Sequence, residues 1–77
     1  MINWKPITQK QLRLQLLEMG LLEQIEEVIP RLSKKYQIIW EYETSFGRND
    51  ILILGIAKGL NKDEDWLNKL FLEAYKK

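Results

Sequence analysis

The residues of this chain that could do chemistry fall into a few clusters, and each fails a specific requirement. Asn61-Lys62-Asp63-Glu64-Asp65 opens like a calcium loop. Such a loop needs a glycine at its sixth position for the sharp turn and a bidentate glutamate at its twelfth; Trp66 and Leu72 stand there instead. The run reads better as acidic residues at a helix start, where the helix dipole favours negative charge. Glu41 and Glu43 are two apart and point in different directions on a helix, which makes a poor acid–base dyad. Ser33 beside Lys34 or Lys35 would formally allow a Ser–Lys nucleophile, but three surface-type residues in a row do not build one. The chain has no histidine and no cysteine. The usual physiological general base, the commonest metal ligand, thiolates and disulfides are all missing with them. The expectation is a protein that is not an enzyme, with no catalytic residue, no metal and no cofactor.

Binding residues are the alternative. Trp40 is of the type enriched at interaction hot spots; on a helix it faces about 100° from Ile39 and about 200° from Ile38, so one of the three leaves the main apolar stripe. A second core face is the preferred reading of Trp40, with partner binding as the other. Glu23, Glu26 and Glu27 form an acidic face that a solvated surface explains, and through which Glu23 and Glu27 could meet a basic partner. Gly20 between two short segments invites a helix-turn-helix reading, yet the second helix would bring those glutamates to phosphate. Arg31, Lys34 and Lys35 are the basic cluster that would supply phosphate contacts if nucleic acid were bound. Gly55 and Gly59 have the small-xxx-small spacing that lets helices approach, in a stretch too short to be a membrane span.

The elements that must position these residues are read from capping and spacing. Thr8 with Gln11 fits a capping box, starting a helix that runs to about Met19, with Leu12 and Leu16 on one stripe and Leu14 and Leu17 on its neighbour. Gly20 suits the left-handed position past its end. Leu21 to Ile29 forms a second helix, which Pro30 ends or kinks. A third, capped by Ser33, is expected to extend to Phe46 and stop at Gly47. Ile51–Lys58, capped by Asn49 or Asp50, reads equally well as a buried strand by periodicity. A lone strand would lack a partner, so a short buried helix closed by Gly59 is preferred. Asn61 with Glu64 caps the last helix, whose apolar face is Trp66, Leu67, Leu70, Phe71 and Ala74. Trp4, in an N-terminal arm over residues 1–7, is expected to fold over the bundle as a lid.

These readings give an all-α chain: one domain over residues 1–77, four or five short helices around one core, and no sheet. Leu17, Ile25, Tyr42, Leu67 and Phe71 are expected in that core. Seventy-seven residues with 45% hydrophobic and 30% charged content suit a single small domain. The net charge of +1 gives no global attraction to nucleic acid or an anionic membrane. The strongest apolar run, Ile51–Ala57, falls far short of the ~20 residues that cross a bilayer, and the start carries no signal-peptide pattern. A cytoplasmic location is expected.

Ile7-Thr8, Leu16-Leu17-Glu18-Met19-Gly20-Leu21-Leu22 and Ile38-Ile39-Trp40-Glu41-Tyr42 also follow a recognisable order, continued by Phe46, Arg48, Asp50, Gly59-Leu60 and Leu70-Phe71-Leu72-Glu73-Ala74. In this the chain resembles a family of very small helical proteins encoded in tail modules of tailed phages and prophages, near tail-fibre genes. Relatives of that kind often carry a proline and a more alanine-rich helix after the arginine–acid step, where Ile51-Leu52-Ile53-Leu54 stands here. The resemblance implies a setting in a bacterial host or a virion and brings no catalytic residues. The expected function is a non-enzymatic protein–protein interaction module, an accessory or assembly protein of a phage tail or tail fibre; its expected partner is another protein, such as a tail component, and neither DNA nor a membrane. The alternative is a small nucleic-acid-binding regulator using Arg31, Lys34 and Lys35.

Overall fold

The structure, a computed structural model, describes residues 3–77; Met1 and Ile2 of the expected arm lie outside the described residues. Among these, five α-helices surround one core and two short strands pair, so the chain is broadly all-α.

The first helix, α1 (Gln9–Glu18), begins as its sequence dictates. Thr8 Oγ1 accepts the Gln11 N–H at 3.0 Å and Gln11 Oε1 accepts the Thr8 N–H at 2.8 Å. It ends in a Schellman motif: Gly20 takes φ +74°, and the Leu21 and Gly20 amides reach the Leu16 and Leu17 carbonyls at 2.9 and 3.0 Å. Helix α2 (Leu22–Val28) follows and tightens at Pro30 into a 3-10 turn, Ile29–Arg31, because proline withholds an amide and constrains the residue before it.

Helix α3 (Lys34–Tyr42) is shorter than its periodicity suggests. It starts at Ser33 without a hydroxyl cap, and it stops at Tyr42 rather than Phe46. The reason lies outside the helix. Gln9 Nε2 donates to the carbonyls of Trp40, Glu41 and Glu43 at 3.1, 3.3 and 3.2 Å, and Arg13 Nη2 donates to the Trp40 carbonyl at 3.1 Å. A helix leaves its last carbonyls unsatisfied, and here α1 supplies their donors. The chain then extends: β2 (Ser45–Phe46) pairs antiparallel with β1 (Ile7–Thr8), Ile7 opposite Phe46 and Thr8 opposite Ser45. The expectation of no sheet is corrected by this pair. It carries Ile7 and Phe46 to full burial, a gain the solvent-facing extension of α3 would not give. Gly47 serves the following turn, where its carbonyl accepts the Asp50 amide at 3.1 Å.

The ambiguous Ile-Leu-Ile-Leu segment is helix α4 (Ile51–Gly59), capped by Asp50, whose carboxylate accepts the Leu52 amide at 2.9 Å. Its end corrects two expectations. Gly59 is still helical, and the left-handed residue is Asn61, at φ +58°. The Lys62 amide reaches Ala57 at 2.7 Å and the Asn61 amide reaches Lys58 at 3.1 Å, a second Schellman motif. Asn61 is therefore spent on closing α4, and Asp63 caps α5 (Glu64–Ala74) by accepting the Trp66 amide at 2.9 Å.

The core gathers Leu12, Leu16, Ile25, Leu52, Ile53, Leu67, Leu70 and Phe71 with the two strand residues. Ile25, Leu67 and Phe71 lie where expected. Leu17 and Tyr42 do not: they are 59% and 77% exposed. Helix α1 carries two leucine stripes, and the one built on Leu12 and Leu16 turns inward, so Leu14 and Leu17 face out. On α3 the inward pair is Tyr36 and Trp40, one turn apart, which sends Ile38 and Tyr42 to the opposite face. Trp4 closes over the bundle as a lid, its ring edge-on to Phe71 at 6.1 Å between centroids.

Candidate interaction surface

Trp40 is not on that surface. It is buried at 4% exposure, with the Arg13 guanidinium stacked 4.2 Å from its ring. The preferred core reading of Trp40 holds, and its alternative role as a partner-binding residue is corrected. Arg13 both covers the ring and holds the α3 terminus. Neither Gln9 nor Arg13 carries a local signal for this role, because their acceptors lie roughly thirty residues away.

Burying Trp40 puts Ile38 and Tyr42 one turn apart on the outer face of α3, 56% and 77% exposed. Lys34 and Lys35 stand on the same side of the helix, since steps of four and seven residues return to one face. Both lysines and Arg31 are exposed, and none has a carboxylate partner among the described residues. The face is thus an apolar pair with Lys34 and Lys35 toward the helix start and one exposed carboxylate, Glu41, seven residues on from Lys34, so its excess charge is positive. The spacing of Ile38 and Tyr42 carries this signal once Tyr42, expected in the core, is recognised as lying on the side opposite Trp40.

A second face of opposite sign lies on α1 and α2. Leu14 and Leu17 project outward, and Leu17, Gly20, Leu22 and Glu23 line an open groove of about 200 Å³. Glu23, Glu26 and Glu27, exposed on α2, also lack cationic partners among the described residues. Glu23 and Glu27 therefore remain available to a basic partner, as their sequence reading allowed. Glu18 is engaged, accepting from Lys77 at 2.6 Å.

The interior offers little to a small ligand. An apolar cleft of about 40 Å³ lies between α2 and α4, lined by Ile25, Ile29, Ile56 and Leu60 among others. Small-molecule pockets usually run to several hundred Å³ with polar groups for orientation. Gly55 forms one wall of the cleft, and a Cβ there would meet the Tyr36 ring at 3.3 Å, so close packing accounts for this glycine. A wider hollow of about 440 Å³ beside Leu54, Lys58, Lys62 and Asp63 is open and of mixed charge.

The remaining charged residue of note is Arg48, buried at 8% exposure. Its Nε and Nη2 donate to Asn68 Oδ1 at 3.0 and 2.8 Å, and Nη2 also to the Glu64 carbonyl at 3.2 Å. The guanidinium lies 5.8 Å from the Trp4 ring. Arg48 thus ties the loop before α4 to the first turns of α5 and to the lid. The acidic run at Asn61–Asp65 is divided between the α4 stop and the α5 start, and no group of three or more acidic side chains among the described residues is arranged to hold a metal. No helix of the described chain is long and apolar enough to cross a membrane.

No protein-family model matches the chain, and neither a curated protein nor a solved structure matches it.

Proposed function

We propose that this chain is a non-catalytic protein–protein interaction module that binds through the outer face of α3. The observation that carries this reading is the pair Ile38 and Tyr42, exposed one turn apart beside Lys34 and Lys35. Contiguous exposed apolar side chains rimmed by charge are characteristic of contact surfaces, and tyrosine is favoured in them because its apolar ring carries a hydrogen-bonding tip. The sequence resemblance to small proteins of phage tail modules gives this module a setting. The proposal is an accessory or assembly role for a tail or tail fibre, in the bacterial cytoplasm or carried into the virion.

Arg31, Lys34 and Lys35 favour a second reading, a nucleic-acid-binding regulator, because all three are exposed and unneutralised among the described residues. The two make opposite predictions. A phosphate-binding face releases counterions, so its affinity falls steeply with salt. A protein-binding face anchored on Ile38 and Tyr42 depends on apolar area instead. Affinity capture from infected or lysogenic cells, using wild-type bait and a Ile38→Ser, Tyr42→Ser bait, is expected to retain a specific partner only with the wild type. Micromolar binding to duplex DNA by anisotropy, weakening steeply with salt and lost when Arg31, Lys34 and Lys35 are changed to alanine, would replace the first reading with the second.

A further inference from the structure

The two exposed apolar faces carry opposite excess charge, Lys34 and Lys35 outnumbering Glu41 on α3 and Glu23, Glu26 and Glu27 lining α2, and we infer that each is the other's partner: the α3 face of one copy docks into the α1–α2 groove of another. This rests on the reading of α3 as a protein-binding face and names its occupant as a second copy of the chain. On one side stand Ile38 and Tyr42 beside Lys34 and Lys35. On the other stand Leu17, Gly20, Leu22 and Glu23, which line the groove, with Glu27 exposed one turn on from Glu23 along α2. A Cβ at Gly20 would meet nothing within 4 Å, so nothing in the chain itself fills that point. The groove, about 200 Å³, suits an inserted side chain better than a drug-sized molecule.

Charge complementarity of this kind selects partners and register as well as adding attraction. The lysines and glutamates named here have no ion-pair partner within the described chain, so docking would neutralise charges that folding leaves alone. Because the two faces are different surfaces, the contact is heterologous: it closes into a ring or a mutual dimer only if the rotation between copies allows. The apolar area is small, so the association is expected to be weak and salt-sensitive.

Sedimentation or light scattering of the purified full chain, carried to about 1 mM so that a small interface is populated, tests the inference. Two variants reverse one face each: Glu23→Lys with Glu27→Lys, and Lys34→Glu with Lys35→Glu. All four positions are exposed, and circular dichroism checks that both variants fold. The wild type is expected to self-associate, each variant alone to do so at least tenfold more weakly, and an equimolar mixture of the two variants to recover association. Tyr42→Ala should weaken it without any change in charge. A wild type that stays monomeric throughout overturns the inference, as does association indifferent to charge reversal or not restored by mixing. A monomeric wild type that still captures another protein through Ile38 and Tyr42 overturns self-docking and leaves the functional reading standing. Salt-steep DNA binding that requires Arg31, Lys34 and Lys35 overturns both.

Discussion

Trp40 and Tyr42 are two residues apart on one helix, and alanine at each should have opposite consequences. A buried tryptophan removes up to about 250 Å² from water, which at about 25 cal/mol per Å² corresponds to about 6 kcal/mol of transfer. The area is an upper bound because denatured chains are partly compact, and alanine keeps some of the burial. The expected loss for Trp40→Ala is therefore about 3–5 kcal/mol, and the stacked Arg13 guanidinium adds about 1 kcal/mol. A chain of this length has a total stability of roughly 4–12 kcal/mol, so the variant should be marginal or unfolded at room temperature. Tyr42→Ala removes a side chain that is 77% exposed and should stay within about 0.5 kcal/mol, a melting shift of no more than about 4 °C. Alanine is the best helix former, so a loss at either position cannot be blamed on helix propensity. Urea unfolding followed by circular dichroism at 222 nm measures both. A Trp40→Ala loss below about 1 kcal/mol, or a Tyr42→Ala loss above about 2 kcal/mol, would refute the assignment of faces on α3.

Other substitutions probe the turns and the buried cation. Gly20→Ala should cost about 1–2 kcal/mol, because φ +74° strains any Cβ even with free space around it. Gly59→Ala should instead gain up to about 1 kcal/mol, since Gly59 is helical and a Cβ there meets nothing within 4 Å; thermal melts of the two variants should move in opposite directions. Asp63→Ala should cost about 1 kcal/mol through the lost cap on the Trp66 amide, measured by urea unfolding. Arg48→Met should cost about 1–3 kcal/mol by leaving the Asn68 carbonyl oxygen short of its donors; calorimetry of Arg48→Met, Asn68→Leu and the double variant should show the double losing less than the sum of the singles.

The starts of α1 and α4 and the stops of α1 and α2 were legible in the sequence because caps are local. Thr8, Gly20, Pro30 and Asp50 act on backbone groups a few residues away, and their types suffice to reveal them. Asn61 misled because asparagine serves both as an N-cap and as a left-handed C′ residue, and only the spacing between α4 and α5 decides which. Periodicity identified apolar stripes but could not rank them when a helix carried two. On α1 the choice between Leu12–Leu16 and Leu14–Leu17, and on α3 between Tyr36–Trp40 and Ile38–Tyr42, is made by neighbouring helices. That same choice exposes the Ile38–Tyr42 pair, which periodicity alone places as readily inside as outside. The strand pairing was hidden for a related reason: two residues on each side carry no pattern, and Ile7 and its partner Phe46 are 39 positions apart.

The capture of α3 carbonyls by Gln9 and Arg13 makes the length of that helix a property of the whole fold. The amide of Gln9 also reaches back, donating to the Thr44 carbonyl at 3.0 Å, so residues 7–9 and 40–46 are laced together through main chain and side chain alike. Releasing the start of α1 is expected to free the end of α3 and unpair both strands together, so hydrogen exchange should report these two distant stretches as one opening unit.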